Sequence, residues 1–296
     1  MNVVKEKAYA KINLYLDILS RREDGFHDIR TVMHTVSLAD EVTVSSVPAT
    51  KLSVKLSLEG ATRTFVPCDE KNLAIKAALA FFEKYNSSAN ITIKLKKNIP
   101  VGAGLAGGST DAAAVLRALN KIYKKPFTEK ALAEIGAEIG SDVPFCVLGK
   151  TALCHGRGED IHHIDKKLGL NIVIANSGEF VSTPQAYSTM DIIYSDFDGS
   201  VPCEGREKFN IFTDALENGG NILNGFYNIF EGAVLEACPK ALALKEELLS
   251  GGAEFAMMSG SGPSVFGVFE SKEKAIEVAE ELAAKGAFAC YAASVE

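Results

Sequence analysis

The chain has 296 residues, long for a single hydrophobic core, and its 47% hydrophobic and 23% charged residues exclude a disordered or fibrous protein and predict two compact domains. Thirty-one Lys and Arg against thirty-eight Asp and Glu give a formal charge of −7 without a basic tail, which argues against nucleic acid as a partner. No uncharged apolar run reaches the ~18 residues that span a bilayer, so no membrane partner is expected either.

Residues 3 to 18 alternate, with Ala8, Ala10, Ile12, Leu14, Leu16 and Ile18 on one face, and predict a strand. The opposite face carries Lys11 and Asn13, where a lysine fits either a solvated strand face or a functional cation. Asp24-Gly25 marks a turn, directly followed by Phe26 and His27. Alternation returns at residues 41–44 and 51–58, predicting further strands of a mixed sheet. Asn72 to Tyr85 has helical spacing through Leu73, Ala77 and Phe81, and Ile91, Ile93 and Leu95 predict the strand that leads into a glycine-rich loop.

That loop, residues 100–114, is the most informative stretch. Gly102, Gly104, Gly107 and Gly108 fall within seven residues and run into Ser109, Thr110, Asp111 and an alanine-rich helix predicted over 111–123. Uncovered amides at a helix start, together with the positive end of its dipole, bind anions, and glycine lets a phosphate approach the main chain. Thr128 predicts the cap of another helix that runs to about Gly140. Asp142, between Gly140 and Pro144, sits in a fixed bend as a turn carboxylate, a cap or a functional acid. Residues 146–155 read as extended, and the charged segment 156–167 as a domain boundary.

Beyond it, strands at 171–175, 254–258, 264–269 and 288–292 combine with helices from Thr183, around 221–237, over 240–249 and over 271–285. Their order approximates βαββαβ. Ser259-Gly260-Ser261-Gly262-Pro263 reads as a tight strand connection. His162-His163 reads as a surface pair, since no ligand spacing accompanies it. Six scattered cysteines without a Cys-x-x-Cys pair, and an N-terminus without an apolar signal core, predict buried thiols in a cytoplasmic protein.

Three familiar nucleotide loops fail to fit. Gly102-x-Gly104-x-x-Gly107 matches the dinucleotide fingerprint, but no acid follows about 20 residues later at a strand end. A Walker A loop needs Gly-Lys-Ser/Thr, and Gly108 is followed by Ser109. The His-Arg-Asp and Asp-Phe-Gly signatures of protein kinases are missing. What remains is a loop that holds phosphate by backbone amides and hydroxyls, with the charge for phosphoryl transfer supplied from elsewhere; Lys11 and Asp142 are candidates.

Pro100-x-x-x-Gly104-Leu105-Ala106-Gly107-Gly108-Ser109-Thr110-Asp111-Ala112-Ala113 resembles the central motif of the GHMP small-molecule kinases. Ala10-Lys11-Ile12-Asn13-Leu14, Asp24-Gly25-Phe26-His27, Gly140-Ser141-Asp142, Ser182-Thr183-Pro184-x-x-Tyr187 and Met258 to Ser264 are similar, in order and spacing, to the branch acting on a cytidine diphosphate-linked sugar alcohol. The resemblance implies an α+β, two-domain GHMP-kinase-like fold: an ATP-binding domain over 1–160 with an N-terminal mixed sheet and helices (like the second domain of ribosomal protein S5), and a substrate-binding domain over 161–296 as a ferredoxin-like split sandwich. It implies ATP and Mg²⁺, a cytidine diphosphate-linked substrate phosphorylated at its 2-hydroxyl in the non-mevalonate route to isoprenoid precursors, and a monomer or homodimer. Lys11 and Asp142 correspond to the catalytic pair, and Asn13, Phe26, His27, Thr183 and Tyr187 to substrate contacts. Pro100, Gly102, Gly104, Leu105, Ala106, Gly107, Gly108, Ser109, Thr110 and Asp111 correspond to the triphosphate loop, with Asn72, Leu73 and Lys97 about the adenine. Ala106 stands where the family often has glycine, so a left-handed backbone is not expected there. Phe26 stands where it often has tyrosine. The alternatives are another GHMP kinase, for mevalonate, homoserine or a sugar, and a nucleotide-binding sensor without turnover.

Overall fold

The computed structural model describes residues 2–60, 65–194 and 203–296. In chain order the elements are β1 (Asn2–Arg21), β2 (His27–Pro48), β3 (Ser53–Leu58), α1 (Leu73–Tyr85), β4 (Ala89–Lys96), α2 (Gly107–Ile122), α3 (Glu129–Ala137), α4 (Val143–Leu148), β5 (Thr151–His155) and β6 (Asp160–His163). They continue as β7 (Asn171–Asn176), α5 (Thr183–Ile193), α6 (Cys203–Asn218), a 3₁₀ turn at Ile222–Gly225, β8 (Tyr227–Asn228), α7 (Glu231–Ala237), α8 (Pro239–Ser250), β9 (Phe255–Met258), β10 (Val265–Phe269), α9 (Lys272–Ala284) and β11 (Phe288–Ala293). The chain groups into two compact units: residues 1–10, 38–101 and 106–149, and residues 11–37, 102–105 and 150–296. The long strands β1 and β2 and the glycine loop each contribute residues to both.

In the first unit β4 pairs antiparallel with residues 41–48 of β2 and parallel with β3. The alternation Ala89, Ile91, Ile93, Leu95 turns one face of β4 inward, where it joins Phe81 and Phe82 of α1, Leu116 and Leu119 of α2 and Val143 of α4 in one core. α1 starts where expected because the Asn72 carboxamide accepts from the Ala74 amide at 2.9 Å. α3 starts at its expected cap, Thr128.

α2 departs from expectation. It begins at Gly107 rather than Asp111, and Ala106 is left-handed with φ 58°. An alanine there costs on the order of 1 kcal/mol. The cost is tolerated because the Thr110 amide bonds the Ala106 carbonyl at 2.9 Å and the next residues, Thr110 to Leu116, are all buried. Residues 146–148 also differ: they belong to α4, whose first turn contains Pro144, and the strand starts only at Thr151. An apolar run this short has no decisive period, and proline early in it favours a helix start.

The second unit contains a four-stranded antiparallel sheet in the order β11-β7-β10-β9, with α8 and α9 following the first and third strands. That is the expected βαββαβ sandwich. Its core joins Val173, Val265, Leu248 and Val278 to Leu16 and Ile18 of β1. The segment 156–167 is not a plain linker, since β6 pairs with β5 in a hairpin through residue 160. Residues 221–237 are not continuous helix: β8 interrupts them, pairing parallel with Tyr15 and Leu16. α6 was not expected at all, its sequence being polar on most sides. His162 and His163 are exposed, as expected, whereas Cys68 is exposed against expectation. Among the described residues no helix is long and apolar enough to cross a membrane.

Candidate active site

In the second unit the turn after β1 presents Phe26 and His27. Gly25 takes φ 84°, and the Arg22 amide bonds the Phe26 carbonyl at 2.8 Å, closing the turn. Arg22 is itself tied down by Asp24 and Asp28, each at 2.9 Å. Phe26 remains 51% exposed, with the Arg157 guanidinium 5.1 Å from its ring centroid. His27 is fixed from two sides: its Nε2 lies 2.6 Å from Asp191 Oδ1, and its ring sits 4.8 Å from that of Tyr187, tilted by 31°. Tyr187 rests edge-on against buried Phe230 at 4.8 Å. Phe26 thus stands open beside Arg157, whereas His27 is buried between Asp191 and Tyr187.

Lys11 is buried on β1, and its ammonium donates to Asn13 Oδ1 at 2.7 Å. The Asn13 amide in turn donates to the Thr31 hydroxyl at 2.7 Å, which fixes the carboxamide with its oxygen toward Lys11. A solvated strand face is therefore excluded for these two residues.

The loop 102–105 packs on the β9–β10 connection. The Ser259 hydroxyl donates to the Gly104 carbonyl at 3.1 Å, the Ser264 amide to the Ala103 carbonyl at 3.3 Å and the Lys11 amide to the Leu105 carbonyl at 3.3 Å. Gly104 has φ 76°, and a Cβ there would fall on the Ser259 carbonyl oxygen. Thr183, at the start of α5, shares a 2.9 Å hydrogen bond with Ser261. The serines of this connection, part of the Met258 to Ser264 motif, thus hold both the loop and a candidate substrate residue.

In the first unit the opening turn of α2 carries Gly107, Gly108 and Ser109, the last two partly or well exposed. Thr110 is turned away: its hydroxyl donates back to the Gly107 carbonyl at 2.9 Å and is buried. Asn72 is occupied as the α1 cap and by the Pro67 carbonyl, while Leu73 Cδ1 lies 3.6 Å from where a Gly108 Cβ would stand. Asp142 is the half-buried residue preceding α4, its carbonyl accepting from the Cys146 amide at 3.0 Å.

Lys97 and Asp111 come together in a buried cluster that contains a third residue, Asp40. The Lys97 ammonium donates to Asp40 Oδ2 and, at 2.6 Å, to Asp111 Oδ2. Burial alone would lower the lysine's pKa, but the Asp111 and Asp40 carboxylates outweigh it and hold it raised. Burial pushes Asp111 upward, and among the described residues its Oδ1 has no hydrogen-bond partner. Asp40 lies 57 residues from Lys97 in sequence, beyond the reach of any spacing argument.

Comparison with known proteins shows the class to which the chain belongs, a small-molecule kinase. The model of the GHMP kinases N terminal domain matches residues 72–150, and that of the GHMP kinases C terminal domain residues 211–287. A 4-diphosphocytidyl-2-C-methyl-D-erythritol kinase of Caldicellulosiruptor bescii is 41% identical over 94% of this chain and 94% of its own length. One of Gloeobacter violaceus is 42% identical over 96% and 91%. The crystal structure of a 4-(cytidine 5'-diphospho)-2C-methyl-D-erythritol kinase superposes with TM-score 0.79 and 31% identity, covering 99% of this chain and 100% of that one. The chain belongs to the GHMP kinases and, within them, to the 4-diphosphocytidyl-2-C-methyl-D-erythritol kinase family.

Proposed function

We propose that the enzyme transfers the γ-phosphoryl group of ATP to the 2-hydroxyl of 4-(cytidine 5'-diphospho)-2-C-methyl-D-erythritol, in the cytoplasm. The observation that carries this choice over other kinases of the fold is the Asp24-Gly25-Phe26-His27 turn, with Phe26 left open and His27 oriented by Asp191 and Tyr187. Phe26 offers a face on which a pyrimidine stacks. Asp191 accepts the Nε2 proton of His27, leaving Nδ1 for the edge of the base or its neighbouring main chain. Thr183 and Tyr187 bear on the same substrate, and Asn13 lies beside the hydroxyl to be phosphorylated.

The glycine loop and the first turn of α2 take the triphosphate by backbone amides, with Gly107, Gly108 and Ser109 the uncovered residues. The Ser109 hydroxyl, partly exposed and a hard oxygen donor, would hold Mg²⁺, which when bound would supply positive charge to the phosphates. Asp142 orients the substrate hydroxyl and accepts its proton as the oxygen bonds to phosphorus and ADP departs. Lys11, aimed by Asn13, offsets the charge that develops on the transferred group. A loose phosphoryl-transfer transition state asks more of this electrostatic placement than of a strong base.

The test is a panel of alcohols with Mg-ATP. Phosphorylation of the cytidine diphosphate-linked substrate and none of mevalonate or homoserine is expected, and the reverse would overturn the proposal. Asp142→Asn is expected to lower kcat by about 10²–10³ with both KM values little changed, as loss of a general acid–base group does. Undiminished turnover would remove Asp142 from the chemistry.

A further inference from the structure

Asp40, Lys97 and Asp111 stand at three points around one stretch of chain. Asp40 is the β2 residue that precedes the strand pairing of Glu41 with Lys96. Its Oδ1 accepts from the backbone amides of Asn98 and, at 2.8 Å, Ile99, the residues that carry the chain out of β4 and toward the glycine loop. Its Oδ2 accepts from the Lys97 ammonium. The same ammonium donates to Asp111, in the second turn of the helix that leaves the loop. The ammonium also lies 3.6 Å from where a Cβ on Gly107 would stand, directly against the first residue of that helix. Asp40 is 0% exposed and the other two side chains are nearly so.

Stability alone is a poor reason for such a cluster. Two carboxyls and one ammonium out of water are no better for folding than apolar residues of equal volume, and among the described residues Asp111 Oδ1 has no partner. What the cluster does, and apolar packing would not, is fix direction. Hydrogen bonds at defined angles tie the residues before the loop and the helix after it to one carboxylate, Asp40. A loop whose amides must converge on a triphosphate binds more tightly when its ends are already placed, because less ordering is left to be done on binding.

From this we infer that Asp40 and Lys97 are positioning residues for ATP: they set the entrance of the glycine loop and the first turn of α2, and Lys97 acts from below the loop rather than at the adenine. The inference rests on ATP binding at the glycine loop. Asp40→Asn is nearly isosteric and keeps an oxygen for the Asn98 and Ile99 amides while losing the charge that meets Lys97. It is expected to raise KM for ATP about tenfold, with KM for the alcohol substrate unchanged and kcat within about twofold. Lys97→Met, which leaves two carboxyls facing one another, is expected to be worse, and the Asp40→Asn/Lys97→Met double variant better than Lys97→Met alone. Direct ATP binding by calorimetry should follow the same order.

A merely structural cluster would lower Tm and leave the ratio of the two KM values unmoved in all three variants; that result overturns the inference. Gly108→Ala separates the two readings, since a Cβ there meets only Leu73 Cδ1, at 3.6 Å, and the fold accepts it. If Gly108→Ala weakens ATP and Asp40→Asn does not, the positioning role falls and the loop assignment stands. If neither weakens ATP, the loop assignment falls and takes the inference with it.

Discussion

The strand β2 carries two histidines seven residues apart that the fold treats in opposite ways. His34 is 0% exposed and closed off on both ring nitrogens, Nδ1 by the Thr151 hydroxyl at 2.7 Å and Nε2 by the Ser294 hydroxyl at 2.8 Å. His27 has one nitrogen against the Asp191 carboxylate, a tyrosine ring against its face and an exposed phenylalanine next to it in sequence. Hydroxyl partners satisfy a neutral imidazole without favouring its charged form. A carboxylate fixes the proton of one nitrogen and leaves the other to be read by a ligand. What surrounds a histidine, more than its place in the sequence, decides how many of its nitrogens are committed.

Acid should break this comparison most sharply at His34. Burial holds its pKa down at about 4, with Glu296 opposing only weakly, while the unfolded chain has a value near ~6.5. Between those values the unfolded state binds more protons than the folded one, so stability is complete above about pH 6.5 and is lost as the pH falls toward 4. The loss is on the order of 3 kcal/mol. Urea unfolding between pH 4 and 7 checks it; the slope should flatten in His34→Gln, and an unchanged slope would assign the acid sensitivity to other groups.

Just before β2, Phe26→Ala should raise KM for the cytidine diphosphate-linked substrate by about 30-fold, taking base–aromatic stacking as roughly 2 kcal/mol. KM for ATP should not move. Equal losses for both substrates would count against a stacking role. Asp191→Asn is the gentlest probe: it keeps a hydrogen-bonding group beside His27 but removes the carboxylate charge, and a rise of about fivefold in the same KM is expected, roughly 1 kcal/mol for one charge-assisted bond. Steady-state kinetics with each substrate varied in turn would resolve both, and an unaltered KM in Asp191→Asn would mean that Tyr187 alone orients the ring.

The fold class was legible because both halves repeat simple periods. Alternation marked β1, β3 and β4, and the apolar stripe of α9 needed no context. The start of α2 was hidden by its own composition: glycines at 107 and 108 weigh against helix, and only the buried residues after them and the left-handed Ala106 before them impose one. α4 and β6 were misread for a related reason, since short apolar or charged runs take their structure from tertiary neighbours. In the site, motif order pointed to Lys11, Asn13, Phe26, His27 and Tyr187, and the structure supplies a partner for each buried polar group among them. Asp40 and Asp191 stayed invisible because each works across a long sequence separation, 57 residues to Lys97 and 164 to His27, and neither stands in a recognisable pattern. Lys97 was visible as a motif position, but its bonds to two carboxylates were not.

The contact between Gly104 and the β9–β10 connection also governs how this sequence is free to vary. A side chain on Gly104 would strike the Ser259 carbonyl, and one on Gly260 would come within 2.9 Å of the Gly104 carbonyl. Both residues have positive φ, 76° and 60°. Each would collide with main chain, which no change of side chain on the other can move aside. The two positions are therefore coupled without being able to compensate one another. A mutational library that randomises the phosphate loop should recover glycine at 104 in every active clone, whatever stands at 260, and new loops will have to come from altered length instead.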